Sequence, residues 1–571
     1  MKKTLGFVAV VALSGLITVS CSSLNKMKKR AGEITYSVTP ETLVAKGGMV
    51  DLKIDVTFPA KYFNKKVAIE ATPVLRFKGG EKAYEMKAIQ GEKVQGNAEV
   101  IPYEAGKTVS YMSRIPYEDA MRLSDLEIDI TGTKGAKTVK FDPRKIGDGV
   151  IATETLVVNA PATSVGEDKF QRIIKQQEEA AIYYLINSAN IRSKEMTSEE
   201  MKKLEAYIKE AAAKENMNLN GIDVRSYASP DGAYDFNEKL ANQREKSSST
   251  FLKKQMKKGK VEQYKDENFF KNFVVAEDWD GFKKAMEESN IQDKELILRV
   301  LSMYQDPEQR EQEIKNISSV YKTLADEILP QLRRSRLTLN YEIIGKSDEE
   351  IANLADSDAK QLNIEELLYA TTLTKDAAKQ EAIFTKATQI YPNDFRAYNN
   401  LGKLAYQAGD LDKAESYFKK ALSIKDAPEV NMNLGLIALT KGDKTAAEGY
   451  LSKASGSKEL NEALGNLYVA QGQYDKAVNS FGDTKTNSAA LAQILAKDYN
   501  KAKSTLAAIE KPDAYTDYLM AVLGARTNNT SMVTSSLKNA IAKEPALAKK
   551  AASDLEFAKY FTNTDFMNII K

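Results

Sequence analysis

Between Val50 and Phe58 apolar and polar residues alternate without a break, Val50-Asp51-Leu52-Lys53-Ile54-Asp55-Val56-Thr57-Phe58. That period places one strand face in a core and the other in water. Leu126-Glu127-Ile128-Asp129-Ile130 repeats it, and shorter β-rich pieces at 67–69, 74–77 and 139–141 are separated by turns such as Gly47-Gly48 and Gly79-Gly80. Short strands without long helices between them predict a β-sandwich over residues 34–160. From 169 the pattern is mixed. A strand-like run at 181–186, a charged helix at 198–214, a short strand at 221–227, a helix from Tyr234 and an alternating strand at 336–343 predict an α/β region over 169–345. Helical stretches at 294–304 and 308–328 predict an insert within it, over about 278–330. The polar stretches 161–168 and 346–363 read as linkers. Beyond 364 the period is helical, and small residues recur with it. Leu401-Gly402, Ala405, Gly409, Ala414, Phe418 and Ala421 return as Leu434-Gly435, Ala438, Gly442, Ala447, Leu451 and Ala454, then as Leu464-Gly465, Tyr468, Gly472, Ala477 and Phe481. Fainter copies flank these, at Phe384, Ala387 and Pro392 and at Leu537, Ala540 and Pro545. An all-α solenoid over 364–549 follows, with a helical tail over 550–571.

The composition narrows the chemistry. Lys and Arg total 82 against 79 Asp and Glu, a net charge of +3, so the basic excess of a nucleic-acid binder is missing. The 571 residues contain no His and one Cys. Ser-His-Asp and Cys-His machinery and imidazole metal sites therefore cannot be assembled. No catalytic residue, metal or cofactor is expected. Ser416-x-x-Lys419 occurs, but on a repeat helix, and no phosphate-loop or nucleophile-elbow motif is present. A cell-wall-active enzyme is the weakest reading, and a non-catalytic binding protein the leading one.

The single Cys stands in a telling place. Lys2 and Lys3 precede an apolar run over 5–17, shorter than the roughly 20 residues a bilayer span requires. Small residues then lead to Cys21. Residues 1–20 resemble a bacterial lipoprotein signal, although Thr18 stands where Leu is usual. The resemblance implies lipid on Cys21 and anchoring to a membrane, with 21–33 as a tether. Residues 22–30 carry Lys26, Lys28, Lys29 and Arg30 and no acid. Surface-displayed lipoproteins of the Bacteroidota typically carry acids there, so the resemblance points to an outer-membrane lipoprotein facing the periplasm.

In the α/β region, Val224-Arg225-Ser226-Tyr227-Ala228-Ser229-Pro230-Asp231-Gly232 followed by Asn237-x-x-Leu240-x-x-x-Arg244 resembles the signature of OmpA C-terminal domains, in the form common in the Bacteroidota. Leu332-Arg333-Arg334-Ser335-Arg336-Leu337-Thr338-Leu339 is similar to that domain's last strand. The resemblance implies a peptidoglycan ligand, its diaminopimelate group held between an Asp and an Arg. That pairing suits a zwitterion, which needs a carboxylate for its ammonium and a guanidinium fork for its carboxylate. The family Arg falls on Arg244, but the family Asp falls on Ser229, leaving Asp231 as substitute only if the turn re-aims it. Arg244 is thus either a ligand contact or a scaffold arginine, and the domain either a cell-wall module or a degenerate one used for protein contacts. Trp279 reads as the packing anchor of the insert.

The C-terminal array resembles the tetratricopeptide repeat, which implies a groove for a protein partner. Its concave positions are Asn399, Lys403 and Tyr406, then Met432, Leu436 and Leu439, then Glu462, Asn466 and Val469. Glu462 and Ala463 break the carboxylate clamp that some family members carry. The apolar middle suggests an amphipathic helix or extended segment as ligand. Met432, Leu436 and Leu439 could equally be covered by the molecule's own chain.

Overall fold

The computed structural model describes residues 19–157, 162–292, 294–316 and 318–571. Most of the expected signal segment lies outside them. Two compact units emerge, one taking the chain up to Glu167 and again from Phe384 to Lys571, the other Asp168–Ile383. The second is therefore an insertion in the first.

The first unit opens with helix α1 (Val19–Lys29) and a strand-rich region. Its strands are β1 (Thr35–Thr39), β2 (Leu43–Lys46), β3 (Met49–Phe58), β4 (Ala68–Phe77), β5 (Gly80–Ala83), β6 (Lys87–Gly91), β7 (Glu99–Ile101), β8 (Lys107–Pro116), β9 (Ser124–Lys134), β10 (Lys137–Lys140), β11 (Arg144–Asp148) and β12 (Val150–Ile151). One sheet runs β1-β3-β2-β12 with β8 on the other side of β3. The second runs β10-β9-β4-β6-β7, with β11 on β9 and β5 on β4. The alternating residues behave as their period requires: Val50, Leu52 and Ile54 from one sheet and Leu126, Ile128 and Ile130 from the other enter a single core.

Residues 21–33 are not a tether. Leu24 and Met27 belong to that same core, the Tyr62 hydroxyl donates to the Met27 carbonyl at 3.0 Å, and Arg144 donates to the Ala31 carbonyl at 2.9 Å. Two apolar residues one turn apart are enough to seat α1, but they are too few to show as a period.

The inserted unit has a four-stranded sheet of β13 (Ile173–Tyr183), β14 (Met217–Tyr227), β15 (Phe270–Val275) and β16 (Arg334–Ile344), in the order β13-β16-β14-β15. Only the β14–β15 pair is parallel. Helix α2 (Glu199–Ala213) starts where the Ser198 hydroxyl accepts from the Met201 amide, and it buries Met201, Leu204 and Ile208. Helix α3 (Tyr234–Lys258) follows β14. The predicted insert is present as a run of helices beginning with α4 (Trp279–Glu288), whose N-terminus is capped by Asp278. It has its own core around Phe282, Met286, Ile297 and Leu332, against which Trp279 packs. The stretch 346–363 is not a linker either. Ser347 and Glu350 form a capping box for a helix over Asp348–Ser357, which buries Ile351 and Ala355.

From Phe395 the chain forms antiparallel helix pairs: α5 (Phe395–Gln407) with α6 (Leu411–Ile424), α7 (Pro428–Thr440) with α8 (Lys444–Leu451), α9 (Leu460–Ala470) with α10 (Tyr474–Phe481), α11 (Asn487–Leu495) with α12 (Tyr499–Ala507), and α13 (Ala514–Arg526) with α14 (Thr530–Lys543). The recurring glycines explain the close pairing. A Cβ on Gly402 would meet the Phe418 ring at 2.5 Å, and one on Gly465 the Phe481 ring at 2.6 Å. The pair α11–α12, shorter than its neighbours, escaped the sequence comparison. Beyond 550, short helical pieces at Leu555–Tyr560 and Thr564–Ile569 bury Phe557 and Phe566 in the array's core.

The strand-rich region and the array are parts of one body. Glu154 is buried and accepts from the Gly47 and Gly48 amides at 2.8 and 2.9 Å and from the Tyr474 hydroxyl at 2.8 Å. Lys444 donates to the Gly47 carbonyl at 2.8 Å.

Candidate functional site

Cys21 lies on α1, and two further places carry the residues singled out by sequence, each treated within its own unit. In the array, Met432, Leu436 and Leu439 are at most 4% exposed and pack with Ala447, Leu451, Ala463 and Leu467. The stripe is core, and no partner can reach it. Lys403 and Tyr406 are half-buried, and burial raises the Tyr406 hydroxyl above its ordinary range. Asn399 and Asn466 are fully buried.

The polar contacts come from asparagines that sequence reasoning mostly missed. Asn433 accepts from the Ser164 amide at 2.8 Å and donates to the Ser164 carbonyl at 2.8 Å. Asn400 does the same for Gly166, at 2.8 and 3.0 Å. Asn399 donates to the Ser164 carbonyl at 3.1 Å and accepts from Asn433 at 2.9 Å. Residues 162–167, expected to be a free linker, thus lie along α5 and α7 with Thr163, Ser164 and Gly166 buried. Asn400 and Asn433 each stand two residues before the helix-contact glycine of their repeat. That recurrence was available in the sequence, but the ligand strand, more than 230 positions away, was not.

Glu462, on α9, is half-buried, and burial pushes its carboxyl above the usual range. The charged form is the one the fold disfavours, so stability present at low pH is lost as pH rises from the ordinary value through the raised one. Glu462→Gln should therefore leave the melting temperature unchanged near pH 4 and raise it by about 1–3 °C at neutral pH. Thermal melts at the two pH values check this, and equal shifts at both would contradict it.

In the inserted unit, Arg244 is 0% exposed. Its Nε donates to the Ser188 carbonyl at 3.0 Å, Nη1 to the Tyr227 carbonyl at 2.8 Å and Nη2 to the Leu185 carbonyl at 3.2 Å, and the guanidinium lies over the Tyr184 ring. Burial pushes it down to about 10, which still leaves it charged at neutral pH. Ser229 is buried and donates to Asp231 at 2.5 Å. Asp231 also pairs with Arg333 at 3.1 Å, and Arg333 donates to the Ser229 hydroxyl at 3.2 Å. Asn237 ties the turn to α3 by donating to the Ser229 and Gly232 carbonyls at 3.2 and 2.9 Å. Trp279, Phe282, Tyr321 and Leu324 of the insert line a crevice with Pro230. Next to it, Asp278 accepts from Arg334 at 2.9 Å while burial raises its carboxyl.

This arrangement differs from the expected zwitterion grip. The guanidinium offers no surface to a ligand, and the acid that could have replaced the family Asp is occupied by an arginine of the same chain. Ser229 and Asp231 close a network with Arg333, and Arg244 is spent separately on main-chain carbonyls.

Comparison with known proteins bears on the array. Residues 395–426 and 460–486 each match the tetratricopeptide repeat family. The C-terminal region is tetratricopeptide-like. No curated protein matches the chain. Solved structures similar to it include a tetratricopeptide repeat protein from Parabacteroides merdae, 16% identical over 36% of this chain and 91% of that one, with a TM-score of 0.29. PilW, a type IV pilus biogenesis factor, is 18% identical over 39% and 98%, with a TM-score of 0.27. YrrB, described as a tetratricopeptide protein with an unusual peptide-binding site, is 23% identical over 29% and 97%, with a TM-score of 0.23. Among the described residues no cluster of His, Cys, Asp and Glu suits a metal, and no helix is long and apolar enough to cross a membrane.

Proposed function

We propose that this chain is a non-catalytic scaffold of the cell envelope, attached to the outer membrane by lipid on Cys21, facing the periplasm, and binding a protein partner through its tetratricopeptide region. The observation that carries the reading is the stack of helix pairs, two of them matching the repeat family, in a chain whose composition withholds histidine and cysteine chemistry. Photo-crosslinking residues placed at exposed array positions such as Lys420 and Lys453 should give discrete adducts in intact envelopes. Adducts absent from every array position would reject the reading.

Membrane attachment has its own test. Cys21→Ala should give a protein recovered in the soluble fraction after a salt wash, since one thiol carries the whole anchor. Retention in the membrane fraction would exclude lipid as the main attachment.

For the inserted unit we favour a degenerate OmpA-like domain used for protein contacts over one that grips peptidoglycan. The enclosed Arg244 and the Asp231–Arg333 pair support that choice. Sedimentation of the protein with purified sacculi would decide against it.

A further inference from the structure

The array's first helices already hold a peptide, and it is the protein's own. Asn433 and Asn400 each take both main-chain groups of one strap residue, Ser164 and Gly166, two positions apart. This copies the way a neighbouring β-strand would pair with alternate residues of an extended segment. No strap side chain takes part in these bonds, and the one ion pair beside them, Glu167 with Lys458 at 3.0 Å, is exposed, so the recognition reads mainly backbone. Thr163 and Ser164 are buried as well, but size selection is sharpest at Gly166. A Cβ on Gly166 would lie 2.7 Å from Arg396 Cβ and 2.9 Å from its Cα. Arg396 cannot give way freely, because it donates to the Glu167 carbonyl at 3.2 Å and is held by Asp394 at 2.8 Å.

We propose that residues 162–167 are an internal ligand of the tetratricopeptide face. They keep it closed until an extended partner segment, with a glycine at the position of Gly166, takes their place. The proposal deepens the reading of the array as a protein-binding region and rests on it. Two physical points favour exchange over simple opening. Asn399, Asn400 and Asn433 are at most 3% exposed and spend their amides on the strap and on one another. Lifting the strap without a replacement gives up those bonds and leaves the amides to water, whereas a second extended main chain restores the backbone pairing. The strap is also covalently attached to the body it occupies, so its effective concentration is high and stray peptides are excluded. A successful partner must therefore supply additional contacts beyond the strap's footprint.

The test uses the full chain and a labelled synthetic peptide of residues 162–168. In the wild type, hydrogen–deuterium exchange over 162–168 should be slowed at least tenfold relative to the free peptide. The peptide should bind wild type weakly or not at all. Ser164→Pro removes the amide that Asn433 accepts and leaves helices and sheets untouched; this variant should bind the peptide at least tenfold more tightly than wild type. Adding Asn400→Ala and Asn433→Ala should abolish the gain. Gly166→Val, which ejects the strap by size, is the second route should the proline variant melt early. Exchange at the free-peptide rate in the wild type, or a folded strap variant with no gain in peptide binding, would overturn the proposal. A strap variant that gains the peptide in a protein whose array yields no envelope crosslinks would sink the scaffold reading and leave this one standing.

Discussion

Replacing Arg244 with alanine should unfold the 168–383 unit, not leave a folded domain short of one ligand contact. The side chain, itself fully buried, satisfies the carbonyls of Leu185, Ser188 and Tyr227 and covers the Tyr184 ring. Its removal strands the buried Tyr227 carbonyl, leaves those of Leu185 and Ser188 to water, and opens a cavity the length of an arginine. One unmet buried group costs about 1–3 kcal/mol and the cavity adds to it, so a loss of about 2–4 kcal/mol is expected after partial relaxation and water entry. Arg244→Lys should rescue little, because a point charge cannot span three carbonyls that a planar fork reaches together. Circular dichroism melting of the full chain, with proteolysis to locate the transition, is the measurement. A variant that melts with the wild type would return Arg244 to the role of a ligand contact.

The second large effect is expected in the array. Leu436→Lys and Leu439→Lys should each collapse it as thoroughly as Ala447→Glu, since all three positions lie in one apolar core. Burying an unpaired charge there costs more than about 4 kcal/mol, beyond what most single substitutions do. Loss of helical signal should accompany loss of any partner. If the lysine variants keep wild-type melting while Ala447→Glu unfolds, the stripe is exposed after all.

Much of the architecture was legible because it rests on periods. Val50 to Phe58 and Leu126 to Ile130 announced their sheets, and the glycines facing Phe418, Leu451 and Phe481 announced the helix pairs. What stayed hidden depends on single partners far along the chain. Nothing local distinguishes Ser164 and Gly166 from a free linker; their burial is decided by Asn433 and Asn400. Arg244 reads the same whether it faces a ligand or three carbonyls, because the carbonyls belong to backbone and leave no side-chain signal. Met432, Leu436 and Leu439 stand at helix spacings that put them on one face. Periodicity could not say that the neighbouring repeats close over that face.

The interleaving of the two units also sets an order of manufacture. The strand-rich region leaves the ribosome first, yet Glu154 waits for Tyr474, and Ser164 for an asparagine 269 positions later. The 216 residues of Asp168–Ile383 intervene, about 10–40 s of translation at roughly 5–20 residues per second. That later segment is contiguous and can finish while the earlier one is still missing its complement. The first-made part of this protein is the last completed: during the interval its strap has no native partner to close on, and its Gly47–Gly48 turn holds Glu154 but still lacks Tyr474 and Lys444.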